Sequence, residues 1–252
     1  MPLIYLTLLK LFDKIFTMTL YRLFAEAPSG RHGLLSVIAF VVALLSALVL
    51  HEIAHGLVAL WNGDPTAKLY KRLSLNPVRH FDWVGLALMF LVGFGWAKPV
   101  PVNPNNFKNR KVGAITVSIA GVLTNILLAF FAAMGLVLFE KLTPQTESAA
   151  YFVYFLQALA NLMLQLNVAF ALFNLLPLFP LDGYRLLSCF VNENNRAMVF
   201  LRRYSLYVML GFILLNYIPI ISFVSPLHWY LRIFGGLIQN GFENFWRLIF
   251  NG

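Results

Sequence analysis

Charge is what this sequence has least of. Its 252 residues hold 19 Lys and Arg and 10 Asp and Glu, or 12% charged, where a soluble domain averages about a quarter. So few charges cannot coat a soluble globule of this length. Disorder is excluded as well, because 60% of the residues are apolar and mean hydropathy is +0.75. Cysteine is nearly absent: Cys189 stands alone, which rules out an intramolecular disulfide or a Cys-based metal cluster. Carboxylates are scarcer than cations, giving a formal net charge of +9. On so apolar a chain that excess marks cytoplasmic loops and lipid headgroup contact, and no nucleic-acid partner is expected. A cleaved signal peptide is not expected either. Ala25-Glu26-Ala27 looks like a cleavage site, but Lys10, Asp13 and Lys14 interrupt the apolar core that should precede it.

Long apolar runs are abundant, and about 20 such residues suffice to cross the hydrocarbon. Gly33 to Gly63 is broken only by Glu52, and Val112 to Phe139 and Tyr204 to Leu227 are further spans. Val84 to Ala97 is too short to cross simply and is expected to form a small re-entrant or β-hairpin element. Ser148 to Leu181 is too long for one straight span, so a break is expected around Asn174, Pro177 and Pro180. Broken backbone at membrane depth must face protein or water. The fold class expected is an all-α polytopic membrane protein. It has a core of three or more transmembrane helices and a broken helix near its site. The expected organisation is an amphipathic or membrane-associated N-terminal helix (1–32), a core (33–227) and a membrane-associated C-terminal segment (228–252). Whether residues 1–28 lie in the interface or span is open. Residues 62–111 carry eight of the 19 basic residues, whereas 140–150 carry only Lys141. The positive-inside rule then places 62–111 and 182–203 on the cytoplasmic side of a multi-pass cell-membrane protein.

Of the ten acidic residues, only Glu52 and Asp182 sit within or at the edge of a strongly apolar span, where an ionisable group is by default a functional candidate. Glu52 belongs to His51-Glu52-Ile53-Ala54-His55, an H-E-x-x-H motif. On a helix the two imidazoles project about 40° apart, so both can reach one Zn²⁺. Glu52 lies about 100° round from His51, placed to serve a zinc-activated water as general base. The competing reading, a polar cluster that glues helices, would bury three ionisable groups in one turn at a cost of several kcal/mol. A catalytic zinc usually takes a third protein ligand. Asp182, carried back to the motif's end of the membrane by the broken span, is the candidate, with an N-cap role as its alternative. Glu193 is a second candidate for that ligand. Serine, aspartyl and cysteine proteolysis fit poorly. A Gly-x-Ser-Gly elbow is absent, Asp13, Asp64 and Asp82 lie in charged or loop contexts, and Cys189 has no nearby His.

These residues form an ordered set that resembles the site-2 protease family of intramembrane zinc metalloproteases, in its short branch without PDZ or CBS domains. The set runs from His51-Glu52-x-x-His55-Gly56 through Arg72-Leu73-x-Leu75-Asn76-Pro77-x-x-His80 to Gly93-Phe94-Gly95-Trp96-Ala97-Lys98-Pro99-Val100-Pro101-Val102-Asn103. Ala120-Gly121-x-x-x-Asn125 and Asn174-x-x-Pro177-x-x-Pro180-x-Asp182-Gly183 complete it. Val122 and Trp83 stand where the family often has proline, which affects helix entry rather than chemistry. The resemblance implies His51, His55 and Asp182 as ligands to one catalytic zinc and Glu52 as base. It also implies a transmembrane protein or peptide substrate met within the lipid bilayer.

Asn125 and Asn174 are candidate donors for the oxyanion or for substrate positioning, or else interhelical hydrogen bonds. Pro99 and Pro101 remove one edge of an extended segment, which leaves Val100 and Val102 as an edge for an unwound substrate strand, or leaves a rigid turn. His80 is expected to be structural in its loop. A metal-ion transporter, or a non-catalytic membrane scaffold using the same cluster, is the alternative function.

Overall fold

The structure is a computed structural model that describes residues 30–80, 82–83, 98–217 and 226–251. Its helices are α1 (Gly30–Trp61), a short α2 (Thr66–Leu69), α3 (Arg110–Phe139), α4 (Glu147–Asn174), α5 (Asp182–Ser188), α6 (Arg196–Tyr217) and α7 (Pro226–Asn251). Single 3-10 turns occur at Pro77–His80 and Pro104–Asn106, and no strand is present among the described residues. α1, α3 and α4 are each long and apolar enough to cross a membrane. The expected re-entrant element at 84–97 and the N-terminal helix at 1–28 lie outside the described residues, as do residues 218–225 of the span expected from Tyr204.

The described residues fall into two compact units. The first draws on residues 30–47, 126–169 and those from 213 on. Its packing is written in small residues. Ser36, Ala39, Ala43 and Ala47 of α1 are all fully buried and recur every three or four positions, the spacing that lets helix backbones approach closely. Ser36 Oγ meets Tyr154 OH of α4 at 2.7 Å. The ring of His32 packs on Tyr151 and Tyr154. α7 docks on α3 through Trp246, whose Nε1–H donates to the carbonyl of Phe130 (2.9 Å), and through an Arg247–Glu140 ion pair at 2.8 Å. On α3, Leu127, Phe131 and Leu138 form one exposed apolar stripe. In water such a stripe would be a liability, and in a bilayer it is a lipid-facing surface.

The second unit comprises residues 48–125 and 170–212 and holds all the candidate site residues. α1 ends there in a Schellman motif: Gly63 N–H bonds to Leu60 O at 3.0 Å and Asp64 N–H to Ala59 O at 2.9 Å. That ending needs a left-handed residue, and Gly63 provides it with φ +104°. The long 148–181 run does break where expected. α4 stops at Asn174, a looped stretch carries Pro177 and Pro180, and α5 restarts at Asp182. The loop is tied to α6 by a hydrogen bond from Phe179 N–H to the buried Ser205 Oγ (3.0 Å). Gly183 makes this restart possible. A Cβ there would collide with the carbonyl oxygens of Leu175 and Leu176.

Candidate metal centre

Helical spacing puts His51 and His55 on one face of α1, and both are buried. Their Nε2 atoms are 3.0 Å apart. Asp182, the first residue of α5, brings Oδ2 to 3.2 Å from His51 Nε2 and 3.1 Å from His55 Nε2. The N-cap of α5 is Leu181, so the Asp182 carboxylate does not cap its helix and turns to the histidine pair.

The far side of each imidazole decides what the near side can be. His55 Nδ1 lies 2.7 Å from the backbone carbonyl of Val117. A carbonyl only accepts, so that nitrogen carries the proton and Nε2 of the neutral ring is a bare lone pair. His51 Nδ1 makes the same kind of bond, 2.6 Å, to Oδ1 of the fully buried Asn125. With both rings neutral, three acceptors converge with no donor among them, and Asp182 Oδ2 is buried without a hydrogen-bond partner. Such a set repels itself unless a cation sits between its members. A tetrahedral zinc with ligands about 2.0 Å away would hold their atoms about 3.3 Å apart, close to the separations seen. The donor set of two imidazoles, one carboxylate and a position left over matches a catalytic zinc site.

Glu52 is not part of the triad. Its Oε2 accepts a 2.8 Å hydrogen bond from the N–H of Val100. That N–H belongs to the Pro-rich segment, which has no regular secondary structure and is held at both ends. At Lys98, the carbonyl accepts from Arg72 Nη2 and the N–H donates to His80 O. At Asn103, the N–H donates to Asp64 Oδ2 at 2.7 Å.

The other expected residues fall as follows. Asn174, at the end of α4, is half-buried and bonds through Nδ2 to Phe170 O (3.1 Å). Val102 packs against Ala59, Phe107 and Val117. His80 is buried in its own loop with Nε2 2.8 Å from Ser74 O. Glu193, the rival third ligand, is exposed and lies 3.9 Å from Arg202. The histidine pair is met by Asp182 and not by Glu193.

Three residues that sequence reasoning gave no role are built into the site. Gly121 of α3 lies against both imidazoles. Arg72 is buried with its Nε unpartnered. Asp64 is fully buried and accepts four hydrogen bonds, from Thr66 N–H, Thr66 Oγ1, Asn106 Nδ2 and Asn103 N–H. Burial pushes the Asp64 carboxyl up, but those four donors outweigh it and hold the group below its ordinary value. A carboxylate depressed in the folded state contributes stability that is complete above its unfolded pKa, about 4, and fades as pH falls through the lower folded value. Acid unfolding of the purified protein below pH of about 4 should therefore be shallower in Asp64→Asn than in wild type. Equal slopes would show that Asp64 is not linked to folding.

Comparison with known proteins decides the lineage. The sequence profile of Peptidase family M50 matches residues 39–218. The chain belongs to that family. Two relatives carry the name "Putative zinc metalloprotease". One is YwhC of Bacillus subtilis (strain 168), 40% identical over 184 residues, or 73% of this chain and 82% of that protein. The other is sll0528 of Synechocystis sp. (strain PCC 6803), 27% identical over 228 residues, or 86% of this chain and 50% of that protein. No solved structure matches. Family, triad and apolar helices together give a member of a peptidase family with a His-His-Asp group able to hold a metal ion and with three helices long and apolar enough to cross a membrane.

Proposed function

We propose that the chain is an intramembrane peptidase that hydrolyses peptide bonds in or near transmembrane segments of other proteins, with Glu52 as general base and one zinc held by His51, His55 and Asp182. The convergence of three lone-pair donors beside a carboxylate held separately carries this reading. Zinc at that position would supply Lewis-acid polarisation of the scissile carbonyl and acidify water.

The chain's own residues do the rest. Glu52 takes the proton of the attacking water and passes it to the leaving amine nitrogen. Val100 N–H holds that carboxylate in place. Asn125 locks the His51 tautomer through its oxygen, and its amide end and Asn174 are the side-chain donors proposed for substrate positioning. A helical substrate must unwind before its carbonyls can be attacked, and the segment from Lys98 to Asn103 offers it a strand edge. Val100 gives its N–H to Glu52, so the edge proposed for the substrate comes down to Val102 and the carbonyls of both valines. The positive-inside pattern supports a site on the cytoplasmic side of the cell membrane.

The test uses purified protein in liposomes with a transmembrane helical peptide. Wild type should release fragments. Glu52→Gln should retain its zinc and lose cleavage by a factor of about 10³ or more, the upper range for removing a general base. Glu52→Gln liposomes that go on conducting zinc, with wild type cutting nothing, would favour a transporter instead.

A further inference from the structure

Asp64 lies in a turn beyond the end of α1, outside the triad, yet its carboxylate is the meeting point of two chain segments. Oδ1 serves its own turn, bonding Thr66 N–H (3.1 Å) and Thr66 Oγ1 (2.5 Å), and also binds Asn106 Nδ2 (2.8 Å). Oδ2 takes the backbone N–H of Asn103 at 2.7 Å. Three residues back from Asn103 is Val100, whose N–H holds Glu52. Of the two residues between them, Pro101 fixes its φ near −65°, and Pro99 does the same immediately before Val100. Gly63 keeps the turn against the same arm. A Cβ there would come 3.1 Å from Asn106 O, and Asn62 O accepts from Lys108 N–H at 2.9 Å.

Resting on the peptidase reading above, we propose that Asp64 is a positioning residue for the reaction, setting through Asn103 and the stiff Pro99–Pro101 arm where the Val100 N–H holds the Glu52 carboxylate. The donor set explains why an ionised carboxylate stands here. Two backbone N–H groups and an amide NH₂ all point at it, joined by a hydroxyl, and only a carboxylate offers about four acceptor sites on two oxygens. Asparagine, though the same shape, would turn an NH₂ onto at least one of these donors. The arm would then shift or lose its tether, and the general base would lose its fixed donor while every zinc ligand stayed in place.

The experiment measures kcat and KM on a transmembrane peptide, normalised to zinc-loaded protein, for wild type, Asp64→Asn, Val100→Pro and the double variant. Asp64→Asn should keep wild-type zinc content and KM and lose kcat by about 10-fold or more, the scale seen when an outer supporting partner is removed. Val100→Pro deletes the N–H through which Asp64 is argued to act, so the double variant should be no slower than Val100→Pro alone. A residue that only stabilises the fold would lower the amount of loaded enzyme and leave kcat per zinc unchanged. That result, or effects that multiply in the double variant, overturns the proposal. Should Asp64→Asn fail to fold, Asn106→Ala removes one bond to Asp64 from an exposed side chain and is judged by the same two criteria, with a smaller drop in kcat. A wild type that does not cut, or a Glu52→Gln variant that does, would instead refute the peptidase reading on which this rests.

Discussion

Gly121→Ala should abolish zinc binding and cleavage together while leaving the helices formed. The methyl group would be built against His51 Cε1 inside van der Waals contact, 2.6 Å from His51 Nδ1 and 2.5 Å from His55 Nε2. Neither ring has room to retreat, because Asn125 holds one and the carbonyl of Val117 the other. Overpacking of this kind costs about 1–3 kcal/mol of stability. The site is less tolerant than the fold, since a functional constellation must be held within about 0.5 Å. Metal analysis and circular dichroism on the same sample separate the two. Helicity near wild type with zinc lost is the expected pair, and full zinc content in Gly121→Ala would mean the imidazoles do not meet as described.

Asp182→Asn should be the second large effect. Toward the metal, Asn125 and Val117 act only by orienting ligands, and losing such a partner typically weakens metal affinity by about 10–100-fold. Asp182 supplies the only carboxylate in the triad, so the loss should exceed that range and take cleavage with it. Titration against a competing chelator measures it. Glu193→Gln is the control: its carboxylate is exposed beside Arg202, and both affinity and cleavage should stay at wild-type levels.

How far the sequence foretold this depends on the range of each interaction. α3 and α4 were legible within two residues because an apolar run is a local signal. α1 begins earlier than its charge-free run, at Gly30. Arg31 and His32 find partners in Glu147, Tyr151 and Tyr154 on α4, and no local pattern announces that. The break after Asn174 was readable from Pro177 and Pro180. His51 and His55 are readable from the motif and its helical period, and Asp182 from its depth, with Glu193 left as a rival. Asn125 could be seen as a buried amide, but which of its ends meets His51 could not. From the sequence Asp64 reads as a loop carboxylate. Its partners Asn103 and Asn106 lie 39 and 42 positions further on, and a Gly-Asp-Pro stretch reads equally well as a solvated turn.

Zinc-edge X-ray absorption on the purified wild-type protein tests the central claim most directly. One zinc per chain is predicted, with two imidazoles and oxygen donors about 2.0 Å away and no sulfur, and with the spectrum altered in Asp182→Asn but not in Glu193→Gln. A protein that binds no zinc, or whose zinc spectrum is untouched by Asp182→Asn, would contradict it.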